Sequence, residues 1–265
     1  MGYYTRRALF INLNLKIMAS NSETGHAKNV ANFGKLVSFC TGYGADYNPS
    51  NSGITIEALT TIQTDSQNAI NSVNSVLPAY HNAIAAREDA FKPLSKLITR
   101  VMNALKAANP SAELIDNATT IVRKLQGRRA SAKLTEEEKQ ELIAQGKEVN
   151  EISSSQLSFD NRIDNLDKLI NLLGSIPEYN PNETELQVAS LTTLLEDLRT
   201  KNDAAIAATT PLSNARIARN NILYNNGAGL VDKALNVKAY VKSLFGASSP
   251  QYHQISGLEF KRYKI

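Results

Sequence analysis

The sequence predicts an all-α fold, an internally duplicated, pseudo-symmetric helical bundle built on long kinked amphipathic helices, and three observations carry that expectation. Of the 265 residues 42% are hydrophobic but only 6% aromatic, with no tryptophan, a composition that suits helices packed through modest side chains better than aromatic-rich sheets. Apolar residues recur at intervals of three and four over long stretches, whereas period-two alternation bounded by hairpin turns is missing. The chain also repeats itself: "YNPSNSGITIEALTT" at 47–61 returns as "YNPNETELQVASLTT" at 179–193.

The opening "MGYYTRRALFINLNLKIMAS" sets paired arginines before an apolar stretch in the manner of a signal peptide. Asn12, Asn14 and Lys16 interrupt that stretch and no small-x-small cleavage site follows. The expectation is a poorly ordered extension over 1–21 on a cytoplasmic chain, with Met18 an alternative initiator and export the open alternative. No other run approaches the roughly 18 apolar residues that cross a bilayer, so no integral membrane association is expected. Cys40 is the one cysteine and sits in "KLVSFC", which reads as a buried structural thiol.

Sliding the chain along itself by 132 residues aligns Tyr47-Asn48-Pro49 with Tyr179-Asn180-Pro181, Leu59-Thr60-Thr61 with Leu191-Thr192-Thr193, and Ala86-Arg87 with Ala218-Arg219. One residue of slip pairs "NFGKLVSFC" (32–40) with "NLDKLINLL" (165–173). A unit this long exceeds the roughly 20–50 residues of solenoid repeats. The reading is therefore two domain-scale helical copies, 22–130 and 155–265, joined by a helical connector at 131–154. Asn-Pro favours an extended or turn conformation, so the "YNP" tripeptide is expected to mark the same interhelical corner in both copies.

Within the first copy, Leu59, Ile62, Ser66, Ala69, Val73, Val76, Tyr80, Ala83, Arg87, Ala90, Leu94, Ile98, Val101 and Leu105 lay one seam along residues 54–108, the pattern of bundle or coiled-coil packing. Pro78 and Pro93 fall inside it, where each removes an amide donor, and a bend or break is expected at both. Thr210-Pro211 occupies a comparable place in the second copy. There, Asn182 and Glu185 have capping-box spacing, and the segment they open should run to about Phe245, interrupted near Gly227 and Gly229 and stopped by Gly246. In the connector, Thr135 and Glu138 offer a further capping box ahead of a short, charged, solvent-facing helix.

Functional signatures are sparse. His26, His81 and His253 are isolated, and no cysteine pair, glycine-rich phosphate loop or nucleophile elbow occurs, so no catalytic residue, cofactor or metal is assigned and no enzyme is expected. The "EEE" at 136–138 fits the first turn of a helix better than a cation site. Arg87 and Arg219 form a matched pair near the apolar stripes, and a structural role is expected for them, hydrogen-bonded to an acidic neighbour such as Asp65 or Asp197. An anion held across the pair is the alternative.

The formal charge of +4 arises in residues 1–130, the remainder being slightly acidic. Basic clusters close both copies: Arg123, Lys124, Arg128 and Arg129 in "RKLQGRR", and Lys261, Arg262 and Lys264 in "KRYK". These are the candidate anion or nucleic-acid contacts. The stretch "NDAAIAATTPLSNARIA" (202–218) is the nearest approach to a membrane-insertion hairpin, yet it is polar and short for that purpose.

"YNPNETELQVASLTTLLEDL" together with "GLVDKALNVKAYVKSLFGASSPQYHQISGLEF" resembles stretches of uncharacterised bacterial all-helical proteins. The resemblance implies a bacterial cytosolic helical protein and brings no activity and no site residues. The leading functional expectation is a non-enzymatic structural or protein-interaction module that self-associates or binds a protein partner. The alternative is a nucleic-acid- or anion-binding protein using the basic ends, and membrane activity ranks behind both.

Overall fold

In the computed structural model, residues 23–128, 135–146 and 157–263 are described. Among them the chain is all-helical, without strands: α1 (Thr24–Gly42), α2 (Ile56–Phe91), α3 (Leu94–Ala107), α4 (Ala112–Leu125), α5 (Glu136–Ala144), α6 (Phe159–Gly174), α7 (Val188–Tyr224), α8 (Leu230–Phe245) and α9 (Pro250–Ser256). The extension at 1–21 and the cluster members Arg129 and Lys264 lie outside the described residues.

Helix ends follow the local chemistry. Ser111, Ser158 and Ser249 accept from the amides of Leu114, Asn161 and Tyr252, capping α4, α6 and α9, and each satisfies one of the orphan donors of a first turn. Thr135 and Glu138 form the expected reciprocal capping box of α5, whose residues stay out of the core. The second expected box does not form. Residues 184–186 make a 3-10 turn instead, α7 starts at Val188, and Glu185 pairs with Arg100 at 2.6 Å. A turn this tight leaves no helical N3 position for Glu185 to occupy.

The prolines behave differently from one another. Pro93 ends α2 and becomes the N-cap of α3, but α2 runs through Pro78 and α7 through Pro211 without a new helix start. Both interior prolines are exposed, as are Asn74 and Ala207 four residues before them. Water can therefore solvate the carbonyls that lose their amide partners. Glycine ends α8 as expected, Gly246 adopting φ 90°, a conformation open to it for want of a Cβ.

Both "YNP" corners are closed by the same bond. Tyr47 is buried and its hydroxyl donates to the Ile54 carbonyl at 2.8 Å; Tyr179 is buried and donates to the Leu186 carbonyl at 2.7 Å. Each bond spans seven residues and folds a 3-10 turn back under the ring, leaving the next helix to start two residues later.

The chain forms two compact units, residues 1–74 with 215–265 and residues 75–214. The first contains α1, the start of α2, the end of α7, α8 and α9. Its core joins Phe33, Leu36 and Cys40 of α1 and Leu59 and Ile70 of α2 to Leu223 and Tyr224 of α7, Val237 and Val241 of α8, and Ile255 of α9. The second contains the end of α2, α3 to α6 and most of α7. Its core joins Phe91 of α2, Ile98 and Leu105 of α3, and Val122 and Leu125 of α4 to Leu166, Leu169 and Leu173 of α6 and Leu191 and Leu198 of α7. Each core thus takes side chains from both halves of the chain.

Two outcomes follow from these cores. Fragments 1–130 and 131–265 prepared separately should lack cooperative thermal unfolding and recover it on mixing; a monomeric half that melts cooperatively would contradict this assignment of the cores. Tyr179→Phe removes the donor from a buried carbonyl and should cost about 1–2 kcal/mol in urea denaturation, with Tyr47→Phe costing a similar amount.

Candidate functional site

The basic cluster at the end of α4 adjoins a concave site. Arg123 and Lys124 occupy the last turn of α4. Gly127, at φ 68°, then reverses the chain, its amide bonding to the Lys124 carbonyl and that of Arg128 to the Arg123 carbonyl. This is a Schellman-type closure, and it brings Arg128 back beside Arg123. Packing of α3 against α4 leaves a cleft of about 350 Å³. Lys106, Arg123 and Arg128 line it, with Met102 and Val122 supplying apolar surface and Asn103 and Thr119 further polar groups. Among the described residues no carboxylate lines the cleft.

Gln126 is fixed at its edge, donating to the Ser95 carbonyl at 3.1 Å and to Thr99 Oγ1 at 2.9 Å. Lys124, a neighbour in sequence, is outside the lining. Lys106 escaped the sequence reading because it lies on the preceding helix, and only antiparallel pairing of α3 with α4 makes it line the same cleft as the later arginines. A lysine in the last turn of α3 was the available signal.

At the other end of the chain the cations are engaged. Arg262 donates to the Tyr224 carbonyl at 2.8 Å and pairs with Asp232. That guanidinium, together with the Gly227 amide, holds the Asp232 carboxyl below its ordinary range. Lys261 lies 3.3 Å from Glu259, and its backbone exchanges two hydrogen bonds with the Asn29 side chain. Lys261 and Arg262 therefore tie this segment onto α1 and α8. Arg262 is a structural group rather than a free phosphate contact.

Arg87 and Arg219 are both structural, with partners other than those expected. Arg219 is 3% exposed. It forms an ion pair with Glu23 and donates to Asn220 Oδ1 from Nε at 3.1 Å and from an Nη at 2.8 Å; Arg216 adds a second contact to Glu23 at 3.1 Å. Arg87 instead stacks on Phe159 at 4.0 Å and donates to Asn202 Oδ1 at 3.2 Å. Asp197 is taken by Lys201 at 3.7 Å. The expected carboxylates sit elsewhere on their helices, and Glu23, at the mouth of α1, takes the role in the first unit. Arg162 stacks over Phe91 at 5.1 Å and donates to its carbonyl at 3.1 Å, while burial pulls its pKa down.

The reactive side-chain types are likewise committed to the fold. His26 Nδ1 lies 2.6 Å from the Tyr224 hydroxyl. Burial lowers its pKa first, Arg219 and Arg216 lower it further, and Glu23 opposes them. Burial pushes the Cys40 thiol up to about 12. Among the described residues no group of three or more His, Cys, Asp or Glu is placed to hold a metal ion. A larger recess of about 580 Å³ beside the second corner mixes Arg100 with Glu178 and Glu183 and so has no single charge preference. Also among the described residues, no helix is long and apolar enough to cross a membrane.

Among the described residues, these features define an all-helical protein with two cores and a cationic cleft. Comparison of the chain with protein-family models, with curated proteins and with solved structures finds no match.

Three measurements check the buried polar groups. Glu23→Gln leaves the Arg219 charge without its counter-ion and should lower stability by about 2–4 kcal/mol. His26 binds its proton less readily folded than unfolded, so stability should fall as pH drops below 6.5, the ordinary value; His26→Gln should flatten that part of the pH–stability curve. Cys40 should react with a thiol reagent only at the rate of unfolding.

Proposed function

We propose that the protein is a non-enzymatic helical module that acts by association, first of all with a second copy of itself. The supporting observation is a charge-free exposed face on α7. From Ala204 to Asn214 no residue is charged, and Ile206 is 53% exposed. Ala207, Thr210, Ser213 and Asn214, all exposed, continue that face of the helix with small neutral groups. Depletion of charge around apolar anchors distinguishes the centre of an interface from ordinary surface. A face of this kind can pair with its own copy about a two-fold axis. The commitment of His26, Cys40 and Arg219 to internal contacts favours this reading over an enzymatic one.

The same reading takes residues 22–130 and 155–265 as tandem copies of one ancestral segment, so that duplication made a pseudo-symmetric chain. The matched tyrosine bonds at the two corners support it, as do the slipped pairs Phe33/Leu166, Leu36/Leu169 and Cys40/Leu173, all of them fully buried. Anion binding is the second reading, and the cleft between α3 and α4 favours it.

Light scattering after size-exclusion chromatography over a concentration series tests self-association. The expected result is a dimer that Ile206→Lys weakens at least tenfold without lowering the melting temperature. A wild-type chain that stays monomeric throughout the series would overturn the reading.

A further inference from the structure

We infer that the cleft between α3 and α4 is a binding site for a small organic phosphate, its anionic group held by Lys106, Arg123 and Arg128 and its organic part resting on Met102 and Val122. The charge argument comes first. Three cations line one concavity whose lining, among the described residues, holds no carboxylate, and none of the three has a side-chain hydrogen bond or ion pair among the described residues. Like charges gathered around a low-dielectric wall raise the local potential and favour an anion there. Guanidinium groups match phosphate oxygens in a fork geometry, and lysine adds a compact point charge.

The helix dipole gives only part of the reason for these cations. Lys106 and Arg123 lie in last turns, where positive charge is favourable. Arg128 lies past the end of α4, and the Gly127 reversal is what returns it to the cleft. Lys124 serves the same helix end without entering the lining.

Size and polarity define the ligand. About 350 Å³ is near the lower end of small-molecule sites, roughly 300–1,000 Å³. Met102 and Val122, each 7% exposed, form an apolar floor that a bare inorganic ion would leave unused. Asn103 is exposed and without a hydrogen bond among the described residues, so it offers both a donor and an acceptor to a hydroxyl or ring nitrogen. Gln126, anchored through its amide nitrogen, keeps its carbonyl oxygen as a further acceptor. The phosphate could reach the cleft on a free metabolite or as the end of a nucleic-acid strand; the small volume and apolar floor favour the free compound.

The test is calorimetric titration of the full chain with adenosine 5′-monophosphate, pyrophosphate, inorganic phosphate and a single-stranded oligonucleotide, at two salt concentrations. The mononucleotide should bind more tightly than inorganic phosphate, and binding should weaken as salt screens the three charges. Arg123→Gln with Arg128→Gln should reduce affinity at least tenfold, as should Lys106→Glu at an exposed position, while Lys124→Gln stays within twofold of the parent. Circular dichroism and melting temperature establish that each variant is folded. Absence of binding by any small phosphate overturns the inference. So does equal loss from Lys124→Gln and the cleft variants, or oligonucleotide binding without mononucleotide binding, since each denotes a diffuse basic surface. Because α7 is not part of the cleft, the Ile206→Lys variant should retain phosphate binding whether or not self-association is found.

Discussion

The structure depends on one constraint: neither core closes without side chains from both long helices. In the first unit Leu59 and Ile70 of α2 meet Leu223 and Tyr224 of α7, and in the second Phe91 of α2 meets Leu191 and Leu198 of α7. Each of these helices is continuous, so its apolar stripe serves one core near its start and the other near its end. Burying a leucine or phenylalanine side chain stabilises by roughly 1.5–3 kcal/mol, and a half-chain alone would leave several such groups in water. Cooperativity across distant parts of the sequence is the direct result. It also explains how Pro78 and Pro211 are accommodated mid-helix, since packing on either side holds the helix while solvent satisfies the freed carbonyls.

Buried Arg219 and half-buried Arg87 show two ways to hold a guanidinium against a helical core. Arg219 is neutralised, with Glu23 supplying the charge and Asn220 the remaining acceptor. Arg87 is stacked, with the face of Phe159 and the Asn202 oxygen replacing water. Stacking leaves Arg87 Nε without a hydrogen-bond partner among the described residues, which a weakly hydrated guanidinium tolerates better than an ammonium would. Two residues at matched places in the sequence therefore differ in what sustains them. The first unit's network carries His26 and Tyr224 with it.

Surface chemistry divides along similar lines. The terminal cations are absorbed into the fold, Arg262 by Asp232 and the Tyr224 carbonyl, whereas Lys106, Arg123 and Arg128 remain around an open concavity. The two groups read alike as letter strings. Lysine and arginine carry the same charge in either setting, and the difference lies in whether an acid or a carbonyl stands within reach.

Much of the architecture was legible because it rests on local chemistry. Three-and-four spacing foretold the helices, Thr135 and Glu138 the connector helix, Gly246 the end of α8, and Tyr-Asn-Pro both corners, since backbone preferences and capping bonds act over a few residues. Asn182 and Glu185 misled because residues 184–186 form a 3-10 turn beneath the Tyr179–Leu186 bond and Glu185 pairs with Arg100 of α3, a long-range contact that capping spacing does not reveal. By itself the sequence determined an all-helical chain, its corners and most of its apolar faces. Tertiary structure alone decided which helix ends share a core, that Glu23 rather than Asp65 or Asp197 answers Arg219, and that Lys106 joins Arg123 and Arg128. Those pairings hinge on long-range packing, where free energy depends on which distant surfaces meet and not on the residues beside each in the chain.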